Sequence, residues 1–200
     1  GNLLDNRLDG LQSSGANVLT GGLGNDTYVL GIGDVAVEAA SEGIDTVVIS
    51  SGATSAYTTT GYANIERFVL GANTGASSLT GSAADDDLIG NVSNNVLDGG
   101  DGNDVLRDRD VSSNYDDIDQ LLGGNGNDSF RVDHFMSGRV VAHGGSGYDT
   151  LDLRYSVTEA MRELARQNGE RFYLAADNLH LNDTGHRCTA EQLARSIVAG

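Results

Sequence analysis

Four short segments of this sequence combine glycine and aspartate in an order that could bind a hard metal ion. Each reads Gly-Gly-x-Gly-x-Asp and continues with three residues typical of a β-strand. Glycine permits left-handed or strained backbone, so the first six residues can form a tight turn whose carbonyls point inward. The aspartate adds a carboxylate, and Ca²⁺ prefers six to eight oxygen ligands at about 2.3–2.6 Å. The segments are residues 21–29, 99–107, 123–131 and 144–152.

Degenerate copies continue the nine-residue period between these motifs. Residues 72–107 divide into four consecutive nonapeptides, each with leucine at its eighth position, and residues 12–20 and 114–122 fit the same period. Side chains alternate across a strand, so the eighth residue should point into a core. Two nonapeptides then make one coil, and turns 18 residues apart stack with room for an ion. The sixth position in residues 72–107 carries a polar side chain throughout: Ser77, Asp86, Asn95 and Asp104.

This pattern resembles the RTX family (repeats in toxin, hemolysin-type calcium-binding repeats) over residues 1–153. The nonapeptide is a known signature of calcium-binding parallel β-helices. The resemblance implies an all-β fold, a right-handed parallel β-roll. It also implies that each ion takes positions two, four and six of one turn. The next turn on the same side would supply positions one, three and six.

Carried onto this chain, the resemblance implies three ion sites along one edge. The turns there start at Gly81, Gly99, Gly123 and Gly144, so the steps are 18, 24 and 21 residues. Asp104 would bridge the first and second ions, and Asp128 would bridge the second and third. The implied ligands are Ser82, Ala84 and Asp86 with Gly99, Asp101 and Asp104; Gly100, Gly102 and Asp104 with Gly123, Asn125 and Asp128; and Gly124, Gly126 and Asp128 with Gly144, Ser146 and Asp149.

A further site is implied upstream, and the opposite edge looks sparse. Gly21 steps 19 residues to the degenerate copy 40–48. Residues 132–143 show no clear turn motif, so the opposite edge is expected to end there. Ala84 and Ser82 depart from the family's glycines, which weakens the first site above. The upstream ligands are Gly22, Gly24 and Asp26 with Ala40, Glu42 and Asp45; on the opposite edge, Asn91, Ser93 and Asn95 would face Asn114, Asp116 and Asp119.

The repeat pattern becomes degenerate over residues 46–71 but does not end there. The segments DTVVIS and ERFVL are rich in strand formers. We therefore expect the solenoid to continue through this part of the chain with little metal.

The acidic charge lies entirely in the part of the chain that carries the repeats. Residues 1–153 hold 6 arginines and 23 acids, a net charge of −17, whereas residues 154–200 hold 6 of each. Such a segment repels phosphates, which argues against a nucleic-acid partner. It also repels itself unless a cation neutralises it. A disordered linker or a metal-free solenoid is the alternative, but neither explains the register of the aspartates.

Several features of the sequence limit the classes of protein to which this chain could belong. The chain starts at Gly1 inside a repeat and without methionine, so we expect a fragment of a larger polypeptide. No stretch of 18 apolar residues exists, so the sequence predicts no membrane span. Cys188 is the single cysteine, so no internal disulfide can form.

Residues 154–200 lack the repeat and predict a C-terminal capping segment. Ser156 and Glu159 form a capping box at the start of a helix. The end of a solenoid exposes unpaired strand edges, which such a segment would cover. The predicted elements are a helix over 156–168, a hairpin over 171–181 and a second helix over 189–199.

Two other kinds of site find less support. His180, His186 and Cys188 could form a soft-metal cluster, but zinc sites need four ligands and tighter motif spacing. His134 and His143 are interpreted as loop residues. Clustered carboxylates could suggest glycosidase chemistry, but their nine-residue period fits metal ligands better. The sequence has no nucleophile elbow, zinc-protease motif or phosphate loop, so we predict no catalysis in this segment.

The resemblance implies a function for the whole segment. It implies a calcium-binding module of a secreted RTX protein, exported unfolded by type I secretion machinery and folded by Ca²⁺ outside the cell. The expected partners are calcium ions, the rest of a larger polypeptide and that machinery. Two alternatives stay open. The segment could bind a carbohydrate or cell-surface ligand as part of an adhesin, or it could be the accessory module of a secreted hydrolase.

Overall fold

Each turn motif is followed by a short strand, and these strands stack in parallel into one sheet. In the computed structural model they pair in chain order. The structure describes residues 1–12, 14–50, 56–72, 77–109, 118–132, 139–153, 180–181 and 188–189. With strands numbered in chain order, this first sheet contains β1 (Arg7–Asp9), β3 (Thr27–Leu30), β5 (Thr46–Ile49), β7 (Arg67–Leu70), β9 (Asp87–Ile89), β11 (Val105–Asp108), β13 (Ser129–Val132) and β15 (Asp149–Leu153).

The strands between them form a second parallel sheet. A short two-stranded parallel sheet, β2 (Val18–Leu19) with β4 (Val35–Ala36), and a 3₁₀ helix at Gly10–Gln12 belong to the first coils. The chain therefore alternates between sheets, which is the coil predicted from paired nonapeptides. The second sheet contains β6 (Ala56–Thr58), β8 (Ser77–Thr80), β10 (Asn95–Asp101), β12 (Ile118–Asn125) and β14 (Arg139–Ser146).

The strand register confirms the predicted coil lengths. Val105 pairs with Asp87 on one side and with Ser129 on the other, which are steps of 18 and 24 residues. Ser129 pairs with Thr150, a step of 21. β5 and β7 also continue the first sheet, so the solenoid passes through the blurred segment as predicted.

The core is a ladder of eighth-position side chains. Five leucines are completely buried, as the alternation of side chains predicted. Burial of each leucine contributes about 1.5–3 kcal/mol, and the ladder is continuous because every coil adds its own member. The five are Leu79, Leu88, Leu97, Leu106 and Leu121.

Two short strands from the C-terminal segment close both sheets. β16 (His180–Leu181) pairs antiparallel with β15, and β17 (Cys188–Thr189) pairs antiparallel with β14. β16 falls within the predicted hairpin, and Thr189, where the second helix was predicted to begin, lies in β17; the first predicted helix and residues 190–199 lie outside the described residues. In the described part of the chain, no helix is long and apolar enough to cross a membrane.

Candidate metal centre

The turns that lead into the first sheet stack on one another along a single edge, here called the acidic edge. Each strand of this sheet follows one such turn, because parallel strands must all be entered from the same end. The predicted upstream turns and the turns from Gly81 to Gly144 therefore share this edge. Two further turns belong to it that the sequence pattern did not reveal. In chain order the turns are residues 1–6, 21–26, 40–45, 61–66, 81–86, 99–104, 123–128 and 144–149.

Sixth-position carboxylates link consecutive turns of the acidic edge. One oxygen of each accepts the backbone N–H of the sixth residue in the preceding turn. The repeated bond fixes the spacing of the turns. The bonds run from Asn6 to Asp26 (2.6 Å), Asp26 to Asp45 (2.7 Å), Asp86 to Asp104 (2.8 Å), Asp104 to Asp128 (2.9 Å) and Asp128 to Asp149 (3.0 Å).

The second oxygen of five of these carboxylates has no hydrogen-bond partner and is buried. A buried carboxylate left without a partner costs several kcal/mol. A cation between the turns would remove that cost. This donor set fits Ca²⁺, which prefers oxygen ligands and binds carboxylates together with backbone carbonyls. The five are Asp26, Asp45, Asp104, Asp128 and Asp149.

Glycines keep space for these oxygens within and between the turns. A Cβ atom on Gly123 would collide with the second carboxylate oxygen of Asp128 in the same turn. A Cβ atom on Gly126 would collide with the carbonyl oxygen of Gly102 in the turn before. The carbonyl of Gly102 therefore points along the stack toward the next turn, as the implied second site requires.

The structure brings together both halves of the second, third and upstream ligand sets. The third-position carbonyls each accept a backbone N–H from the fourth position of the preceding turn. A carbonyl has two lone pairs, so this bond leaves one available. The bonds are Gly24 to Glu42 (2.8 Å), Gly102 to Asn125 (2.9 Å) and Gly126 to Ser146 (2.8 Å).

The first implied site differs from the others. The second oxygen of Asp86 accepts hydrogen bonds from Ser82, at 2.7 Å from its backbone nitrogen and 3.0 Å from its hydroxyl. Serine at the second position therefore satisfies the carboxylate internally. The turn containing Ala84 still stacks on the next one, since the N–H of Asp86 donates to Asp104. This turn needs a cation less than its neighbours do.

On the opposite edge, hydrogen bonds that involve two asparagines join the turns. The N–H of Asn95 donates to Asp119 at 2.6 Å, and Asn95 in turn accepts the N–H of Asn91 at 2.7 Å. The side-chain amide of Asn91 donates to the carbonyl of Gly71 at 3.0 Å. Asn114 and Asp116 lie outside the described residues, as does the turn before β14. β14 nevertheless extends the second sheet past the point where that edge was expected to end.

Two acidic side chains at the acidic edge escaped the sequence analysis. Glu66 replaces the sixth-position aspartate in turn 61–66 and accepts the N–H of Asp45 at 2.9 Å. Its spacing of 21 residues from Asp45 was the available signal. Glu38 lies outside the nonapeptide pattern, so the repeat gave no signal for it, yet it is buried beside Asp26 and Asp45.

Burial raises the pKa of several of these carboxyl groups. It raises the pKa of Asp104 to about 7, and the neighbouring carboxylates of Asp128 and Asp86 add to the shift. The pKa values of Asp45 and Asp128 are also raised, mainly by burial. The acidic edge therefore favours a proton or a metal ion over free charge.

The alternative soft-metal cluster gains no support from the strand positions. His180 lies on β16 in the first sheet, whereas Cys188 lies on β17 in the second. His186 and His134 fall outside the described residues. The interpretation of His143 as a loop residue was wrong, because it pairs with Leu122 inside β14.

A parallel β-roll with buried, unpartnered carboxylates at stacked glycine turns defines a class of protein, the calcium-binding β-solenoids. The family model for the RTX calcium-binding nonapeptide repeat matches this chain in four copies, over residues 1–34, 72–107 and 115–131. The repeats of this chain are RTX repeats, and they form a calcium-binding module of the RTX type. Neither the curated proteins nor the solved structures contain a match to the chain.

Proposed function

We propose that the roll is a calcium-dependent folding module, disordered at low Ca²⁺ and ordered when ions bind between the turns of the acidic edge. The observation that carries this proposal is the set of five buried carboxylates whose second oxygens lack partners. Without a cation the acidic edge would hold too much buried charge to be stable. Because the ligands converge only in the folded chain, the free energy of metal binding becomes free energy of folding.

The ions are assigned to the gaps between consecutive turns of the acidic edge, where those oxygens lie. The gaps are numbered as the implied sites were. Asp104 and Asp128 bound the second gap, Asp128 and Asp149 bound the third, and Asp26 and Asp45 bound the upstream one. Backbone carbonyls at positions two and four of one turn, and one and three of the next, complete each set. The first gap, with the internally satisfied Asp86, is the weakest site.

The net charge supports a fold that responds to calcium. The repeats carry the whole net charge of −17, which opposes compaction without a counter-ion. We further propose that the parent is exported unfolded by a type I system and folds where Ca²⁺ is plentiful. The C-terminal segment would then cap the last coil, and the pairing of β16 with β15 and of β17 with β14 supports that role.

Circular dichroism of the 200-residue chain during a calcium titration tests this proposal. We expect a disordered spectrum in EDTA and a cooperative gain of β-structure as Ca²⁺ is added. Mg²⁺ should be much less effective, because it demands near-ideal octahedral geometry and dehydrates reluctantly. A roll that forms equally well in EDTA, or equally well with Mg²⁺, would contradict the proposal.

The dependence of stability on pH should reverse sign when calcium is added. Burial raises the pKa of Asp104 to about 7 in the fold, above its ordinary value in the unfolded chain, so without calcium the fold binds an extra proton between these two values. The metal-free roll should then lose stability as the pH rises from 5 to about 7.5. Ca²⁺ competes with that proton, so the calcium-loaded roll should be less stable at pH 5 than at about 7.5. Circular dichroism in EDTA should show more residual β-structure at pH 5 than at about 7.5, whereas urea midpoints in excess Ca²⁺ should rise over the same range; trends of equal sign would contradict the prediction.

A further inference from the structure

Glu38 is an interior carboxylate that the nine-residue repeat does not account for. It lies two residues before turn 40–45, a place that leucine occupies before the turns at Gly81, Gly99 and Gly123. Its side chain is buried, with 7% of the residue exposed. In the fold, Ala36 pairs with Leu19 and takes the leucine place in this coil, so Glu38 is a buried charged residue in the segment between β4 and turn 40–45.

The orientation of Glu38 places it against the upstream turns. One of its oxygens, Oε1, accepts the N–H of Gly21 at 3.1 Å. Its other oxygen, Oε2, is buried and has no hydrogen-bond partner. The same holds for the Oδ2 atoms of Asp26 and Asp45, whose Oδ1 atoms accept backbone N–H groups. Each of the three carboxylates thus has one oxygen engaged and one unengaged.

The three side chains converge. Asp26, Glu38 and Asp45 each offer a carboxylate oxygen, and these oxygens lie within 4.8 Å of one another. Two oxygens bound to one Ca²⁺ at about 2.3–2.6 Å can be at most about 4.6–5.2 Å apart. The spacing therefore suits three ligands of a single calcium ion without rearrangement of the backbone.

We propose that Glu38 is a calcium ligand from the core of the roll, which joins Asp26 and Asp45 in an interior three-carboxylate site. This inference rests on the proposed calcium-dependent folding and adds to it a ligand outside the nonapeptide. Three carboxylates would make the upstream gap the most negative one and give its ion the largest share of side-chain ligands. The ion should consequently be among the last to leave when calcium is withdrawn.

Isothermal titration of the whole chain with Ca²⁺ tests the role of Glu38. The variant Glu38→Gln keeps the shape and the acceptor for Gly21 but lacks the charge. Asp98→Asn is the matched control, because it removes one charge from a strand residue that is remote from the upstream turns and assigned to no ion. Glu38→Gln should weaken one ion at least about tenfold, since interactions with a charged group are the stronger ones. Asp98→Asn should bind as the unmodified chain does.

Tyr28 provides a readout at the site itself. Its hydroxyl accepts the same Gly21 N–H, at 2.6 Å, as the Oε1 atom of Glu38. Tb³⁺ bound between the three carboxylates should therefore luminesce when tyrosine is excited. Tyr28→Phe and Glu38→Gln should each remove the same part of that signal.

Glu38→Leu covers the case in which the glutamine variant does not fold. It replaces the buried charge with an apolar side chain of similar length, so the chain should fold in Ca²⁺ and bind one ion fewer. If the unmodified chain binds calcium and folds, yet both variants bind the same number of ions with unchanged affinity, a proton rather than a metal neutralises Glu38 and the inference is overturned. If the unmodified chain neither binds Ca²⁺ nor folds with it, the proposed function itself fails.

Discussion

Replacing Asp104 and Asp128 together with asparagine should raise the calcium concentration needed to fold the roll about a hundredfold or more. Asparagine keeps the oxygen that accepts the N–H of Asp86 or Asp104, so the turns can still stack. The change removes the charge of the two oxygens that are buried without a partner. Each loss at a charged contact is worth about 1.5–3 kcal/mol. The calcium midpoint by circular dichroism measures the effect.

Asp86→Asn is the informative comparison for this double variant. Asp86 sits in the same stack, but Ser82 already satisfies its second oxygen. Its replacement should therefore shift the calcium midpoint only slightly. Asp98→Asn controls for the loss of bulk charge. Equal shifts for the single variant Asp104→Asn and for Asp86→Asn would show that the carboxylates left unpartnered are not the ones that hold the ions.

The period of the repeat was enough to predict the architecture. Leucine at every eighth position predicted the buried ladder, and steps of 18, 24 and 21 residues predicted which strands pair. A solenoid can be predicted in this way because each coil contacts its sequence neighbours. The positions of six turns along the acidic edge then follow from the spacing, whereas turns 1–6 and 61–66 appear only in the structure.

The differences between turns could not be predicted from the repeat. Ser82 looks like a simple departure from glycine, but its hydroxyl and its backbone N–H both donate hydrogen bonds to the second carboxylate oxygen of Asp86. Glu38 is buried outside the repeated core positions, and its role follows only from the approach of Asp26 and Asp45 in the folded chain. In both cases the decisive fact is a side-chain contact within or between turns, which the period of the sequence does not encode.

The adhesin alternative gains no support from the described side chains. An exposed row of aromatic rings would have favoured it. Tyr28, Phe68 and Phe130 are buried in the core, and Tyr148 stands exposed within turn 144–149. The described faces of the roll therefore offer no aromatic platform, whereas the acidic edge offers a repeated set of oxygen ligands.

Gly126→Ala should destabilise the calcium-loaded roll by about 1–3 kcal/mol more than Gly61→Ala does. Both glycines have positive φ angles, +136° and +103°, which residues with a side chain rarely adopt, so alanine strains the backbone at either position. A Cβ atom on Gly61 meets nothing within 4 Å, whereas on Gly126 it collides with the carbonyl oxygen of Gly102. The difference between the variants therefore isolates the close approach of stacked turns.

Urea unfolding in saturating Ca²⁺ measures that difference. Gly126→Ala should also raise the calcium midpoint, because a displaced Gly102 carbonyl is a displaced ligand of the second gap. Gly61→Ala should lower the free energy of unfolding. Its calcium midpoint should shift only by the amount that this loss of stability causes. If both variants lose equal stability, the stacked turns yield to one extra methyl group. The spacing of the second gap would then not depend on the missing side chain of Gly126. Glycine at the fourth position would be needed only for the backbone conformation of its own turn.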